Sequence, residues 1–161
     1  MTNEDILRKN LVELLTKSHA HMVFEDAVKD FPMNKINTHF TNESYSPWAL
    51  LEHIRITQMD ILDFIKNKNY KYIKGPDEYW PKKNKVATPT DWKKTINGFK
   101  KDLNELVKIV KNKKTNLYAT IPWGEGQTIL REIITVGDHN AYHIGEFAIM
   151  RQAMGTWSKK R

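Results

Sequence analysis

The sequence contains no cysteine. Disulfides, thiolate zinc sites and cysteine nucleophiles are therefore excluded, and any metal must be held by imidazole and oxygen. No apolar run approaches the roughly 20 residues needed to span a bilayer. The stretch Met1-Thr2-Asn3-Glu4-Asp5 is polar, unlike a secretory signal, so a cytoplasmic protein with no membrane partner is expected. No strand pattern and no internal repeat stand out. The 161 residues are one domain's worth of chain, enough to bury a single continuous core across 1–161. The apolar and charged fractions are those of an ordinary globular protein.

Charge is unevenly placed. The net charge is +7, yet the window from Lys66 to Lys114 holds 15 lysines against five acids (Asp77, Glu78, Asp91, Asp102, Glu105) and so carries +10, leaving −3 for the rest. A solvated lysine-rich face has this composition, and so does a surface that steers anions or nucleic acid.

Thr2, with Asp5 three residues on, has the pattern of a capping box, and acids crowd the first turn. Leu7, Leu11, Leu14, Leu15 and Met22 then form an apolar stripe, which predicts a first helix from Asn3 to Phe31, ended by Pro32. Ser18 and Glu25 fall on that stripe and His21 on its flank; polar groups there are costly unless paired, which predicts a polar pocket. His19 reads as a surface residue. A polar connection from Met33 to Tyr45 carries Asn34, Asn37, Asn42 and a loop histidine, His39. Ser46-Pro47-Trp48 is a strong helix start, serine at N-cap and proline at N1. The second helix runs to Lys66 with Leu50, Leu51, Ile54, Ile61, Leu62 and Ile65 on its core side and His53 beside that stripe.

The segment Asn67–Ala87 is non-periodic. Gly75-Pro76 and Trp80-Pro81 rule out a continuous helix, and its aromatics, Tyr70, Tyr72, Tyr79 and Trp80, point to a link packed over the bundle. A link this long is functional or a crossover. Thr88-Pro89-Thr90-Asp91 opens the third helix, whose Trp92, Ile96, Phe99, Leu103, Leu106, Val107 and Val110 give the clearest amphipathic pattern in the chain. A loop with Pro122 and Gly124-Glu125-Gly126 precedes a fourth helix that begins at Gln127-Thr128 and runs to Met154. The expectation is an all-α four-helix bundle with a long crossover between its second and third helices.

The fourth helix carries His139 and His143, four residues apart and therefore stacked on one face. Metal sites in bundles are built from facing helices, and His53 on the second helix would complete a three-imidazole tripod. Three protein ligands leave positions open for water or substrate, the catalytic rather than the structural arrangement. Imidazole suits several divalent metals: zinc and nickel lead, with iron, cobalt and manganese behind them. A zincin protease would need glutamate after the first histidine, and Asn140 stands there. Each histidine taken alone is equally a core or edge imidazole satisfied by a hydrogen bond. Glu146, seven residues after His139, shares nearly the same face and could orient a ligand or accept a proton, as could Glu25 and His21 from the first helix. A salt-bridged surface carboxylate is the plainer account of Glu146.

A histidine after Pro47-Trp48-Ala49-Leu50-Leu51-Glu52, together with His139-x-x-x-His143-x-Gly145-Glu146, resembles the DinB-like superfamily of four-helix proteins, which includes the bacillithiol and mycothiol S-transferases. The resemblance covers essentially the whole chain. It implies an up-down-down-up bundle, a homodimer, and a divalent metal on His53, His139 and His143. Glu146 departs from the glutamine that many relatives carry after the glycine. The implied chemistry is a metal-activated low-molecular-weight thiol or water acting on a small-molecule electrophile; with no cysteine in the chain, the thiol would come from a cosubstrate. Two other classes stay open: a metal-holding stress-response protein without catalysis, and a nucleic-acid-associated protein using residues 66–114. Against the last, no recognition motif is present, and the aromatics of the third helix fall at core spacing.

Overall fold

A computed structural model describes residues 1–39 and 45–157; Asn42 lies outside them. The helix starts legible in the sequence are where the N-caps form. Thr2 caps α1 (Asn3–Thr16) in a capping box with Asp5. Ser46 Oγ accepts from the Ala49 amide at the head of α3 (Pro47–Lys66). Thr88 and Asp91 make a second capping box on α4 (Pro89–Lys111), and Thr128 accepts from the Arg131 amide at the start of α5 (Ile129–Ala153).

The expected first helix is broken in two. α1 stops at Thr16, residues 17–23 are non-helical, and α2 is the short helix Phe24–Val28. Thr16 Oγ1 turns back to Val12 O, Ser18 Oγ donates to His21 O, and Lys17 is extended. Threonine and serine side chains compete in this way for backbone groups and weaken a helix interior. The restart places Phe24 against Phe99, ring centroids 3.8 Å apart. α2 ends before Phe31-Pro32, with Asp30 in the left-handed region at φ 53°. The fold is thus all-α with five helices, four of them long, and no strand among the described residues. Nor is any described helix long and apolar enough to cross a membrane.

α3 packs on both α4 and α5, α1 on α4 and α5, and α2 on α5. The core has two halves. One gathers Phe24, Phe31, Trp48, Leu51, Phe99 and Phe147; the other gathers Leu11, Phe64, Leu106, Val110, Ile133 and Val136. Along α3 the first half stops at Ile54 and the second starts at Ile61; along α5 the boundary falls between Val136 and Ile144. Two buried amides, Gln58 and Asn140, occupy that boundary.

Polar groups lock the ends and the long link. Buried Arg8 donates to Val110 O, Asn112 O and Thr115 O, satisfying carbonyls that the end of α4 leaves open. Buried Arg151 does the same at the end of α2, donating to Ala27 O and Lys29 O, and to Thr156 O. The link 67–88 packs over the bundle as its aromatics suggested: the Tyr70 and Tyr79 hydroxyls donate to Asp60 at 2.9 and 3.0 Å. Burial pushes the Asp60 carboxyl up, and burial with the bond to Asp60 pushes the Tyr79 phenol up to about 12. Trp92 and Phe99 of α4 are core residues, not a stacking surface.

Candidate metal centre

His139 and His143 lie one turn apart on α5, and His53 reaches them from α3. The His53 Nε2 is 3.3 Å from the Nε2 of His143 and 3.3 Å from that of His139. Ligand atoms of the three rings all fall within 4.8 Å of one another.

Neighbouring atoms decide the tautomers of two rings. His53 Nδ1 lies 2.9 Å from the Tyr79 carbonyl, which can only accept, so Nδ1 carries the proton and Nε2 holds a lone pair. His143 Nδ1 lies 2.7 Å from Glu146 Oε2 and donates to it, leaving its Nε2 a lone pair as well. Two lone pairs 3.3 Å apart do not form a hydrogen bond; they repel unless a cation lies between them. A proton does not serve at neutral pH. Burial pushes the His53 pKa down, and His139 and His143 are both lowered to about 4, by burial first and by their neighbouring imidazoles second. Three neutral imidazoles with converging nitrogens fit a divalent metal, which requires unprotonated ligands.

The walls come from elements the sequence did not connect to the histidines. Trp80 stacks flat on His53 (centroids 4.1 Å, 5° between planes), and Tyr45 stacks on Trp80 at 4.8 Å. The Tyr45 hydroxyl donates to Glu146 Oε1, so the chain of contacts runs from His53 through Trp80, Tyr45 and Glu146 back to His143. Beside the cluster a cavity of about 520 Å³, open to solvent, is lined by His53, Thr57, Lys74, Tyr79, Trp80 and His139 among others. The histidines flank their apolar stripes, and the site accordingly opens at the side of the helical core, under the 67–88 link.

Of the residues singled out from sequence, His53, His139, His143 and Glu146 are brought together. His21 and Glu25 are not among them. They line a separate cavity of about 230 Å³, which shares no lining residue with the first and lies between the α1–α2 break and α4 and α5. There Glu25 is 3.8 Å from Lys100, and His21 Nδ1 is 2.8 Å from Met22 O. Glu25 and His21 do border a cavity, but its lining is largely apolar and Ser18 is not part of it, because the break after Thr16 ends the helical phase that aligned those residues with the rest of the first helix. His19 and His39 are exposed. Sequence reasoning missed Tyr45 and the Tyr79 carbonyl, neither of which belongs to a periodic pattern; only the clustering of aromatics in the link hinted at Trp80.

Comparison with protein-family models, curated proteins and solved structures finds no match.

Proposed function

We propose that this chain is a metal-dependent enzyme of the DinB-like kind. In this reading His53, His139 and His143 hold one divalent ion, zinc or nickel before iron, cobalt or manganese. The observation that carries it is the pair of Nε2 lone pairs of His53 and His143, held 3.3 Å apart by the proton placements that Tyr79 O and Glu146 impose. The reading brings with it the finer features of that superfamily, an up-down-down-up bundle and a homodimer.

A bound divalent ion would supply Lewis acidity, lowering the pKa of a low-molecular-weight thiol or of water at its open position. The protein's own part is positional. Tyr79 O and Glu146 fix two imidazoles, and Trp80 and Tyr45 wall one side of the cluster. The open cavity admits a small electrophile. Glu146, bonded to His143 Nδ1 and held by the Tyr45 hydroxyl, is the carboxylate we assign to orient that ligand imidazole and raise its basicity.

Elemental analysis of the purified protein tests the first half. About one divalent ion per chain is expected, with most of it lost in His143→Ala; low content in wild type, or unchanged content in the variant, overturns the tripod. A conjugation assay with bacillithiol-like and glutathione-like thiols tests the second half. Metal without turnover in that assay, and without hydrolysis of small amides or esters, leaves a metal-holding protein and removes the enzyme.

A further inference from the structure

His139 differs from its two partners in one respect. To present Nε2 to the centre of the cluster it must carry its proton on Nδ1, and that nitrogen is buried without a hydrogen bond. A buried N–H without an acceptor is costly. Two oxygens buried without partners could take it: Asn140 Oδ1 on the next residue, and Thr57 Oγ1, which lines the same cavity as His139.

The orientation of Asn140 follows from a backbone carbonyl across the core. Phe99 O can only accept, so the Gln58 group facing it at 2.8 Å is the Nε2 amide. Gln58 Oε1 therefore faces Asn140, which must donate to it through Nδ2, at 3.0 Å. Asn140 Oδ1 is then the atom left over, one residue from the nitrogen that needs it. Of the two oxygens, only the amide oxygen is confined to accepting; the Thr57 hydroxyl carries a proton of its own and can donate instead.

We infer that Asn140 is the positioning residue of His139: its amide oxygen, aimed by Gln58 and Phe99 O, accepts the Nδ1 proton and turns the Nε2 lone pair toward His53. Each imidazole then has its own acceptor, a backbone carbonyl for His53, a carboxylate for His143 and an amide oxygen for His139. The layer between the two core halves becomes the outer support of the cluster. The inference rests on the reading of the three rings as a lone-pair site, so its test keeps a readout that needs no metal.

Two-bond ¹H–¹⁵N correlations on metal-free protein report where each imidazole carries its proton. His139 is expected as the Nδ1–H tautomer in wild type and as Nε2–H in Asn140→Ala. Asn140→Asp keeps an oxygen beside His139 and should keep Nδ1–H, although both variants melt lower because both lose the donor to Gln58. A merely structural role would lower both melting points and leave the tautomer alone. Zinc affinity by chelator competition gives the second readout: a loss of about 10- to 100-fold in Asn140→Ala, against a smaller loss in Asn140→Asp. An Nε2–H tautomer in wild type, no tautomer change in Asn140→Ala, or a change produced by Thr57→Val instead overturns the assignment. Failure of wild type to bind zinc with the tautomer pattern intact would sink the metal reading and leave Asn140's role standing.

Discussion

The two buried arginines and the three histidines are both polar clusters inside an α-helical core, and they are built on opposite principles. Each arginine guanidinium donates to three backbone carbonyls at or just beyond helix ends. The terminal nitrogens are spent on these carbonyls, and Arg151 Nε, buried without a partner, is a donor with no lone pair to offer a cation. The histidines do the reverse. His53 and His143 spend their outer nitrogens on Tyr79 O and Glu146, and the atoms so freed face one another. Polar groups that are saturated hold a fold together; polar groups saturated on one side only, with lone pairs converging, are prepared for a ligand. The closed clusters should therefore govern stability and the open one should govern binding, with little exchange between the two.

The sharpest break of that comparison is His53→Ala. It should abolish zinc uptake at micromolar protein, read by elemental analysis, while the metal-free variant keeps its helical circular dichroism and loses about 1–2 kcal/mol by denaturant titration. Arg151→Ala should do the opposite. Stranding the carbonyls of Ala27 and Lys29 should cost about 3 kcal/mol, with zinc affinity of the folded fraction unchanged; a proportionate loss of affinity would join the two regions into one.

A third expectation concerns pH. In the folded protein His139 and His143 are lowered to about 4, whereas unfolded histidine titrates near 6.5. Between those values the unfolded chain binds more protons, so the metal-free protein loses stability as pH falls from 6.5 toward 4. Melting curves across that window should show a slope that flattens in His139→Gln/His143→Gln, and an unchanged slope would mean that the rings are not buried neutral. The smallest effect belongs to Glu4→Ala. Glu4 is the exposed partner of Arg8, and because the carbonyl bonds remain, the loss should stay below about 1 kcal/mol. A larger loss would place the strength of that clamp in its ion pair.

Much of this was legible residue by residue. Thr2, Ser46, Thr88 and Thr128 are N-caps whose side chains answer their own amides three residues on, and such bonds depend on local sequence alone. The stacking of His139 on His143 follows from the period of a helix, and the side placement of the site follows from histidines that flank their stripes. The break after Thr16 was not legible. The apolar stripe runs on past it, and what overrides the stripe is the packing of Phe24 on Phe99, a contact between residues 75 positions apart. Arg151 carries no mark that separates it from a surface arginine, since its partners belong to the end of a different helix. Asn140 read only as the residue that spoils a zincin pattern.

The sequence by itself determined the all-α class, the starts of the four long helices, and the stacking of His139 on His143, because caps and periodicity are short-range properties of the chain. Tertiary structure alone decided the tautomer of His53, the exclusion of His21 and Glu25 from the histidine cavity, and the closing of the wall by Tyr45 and Trp80. Each of these depends on an acceptor or a ring brought up from a distant segment, and no local pattern encodes which distant group will arrive.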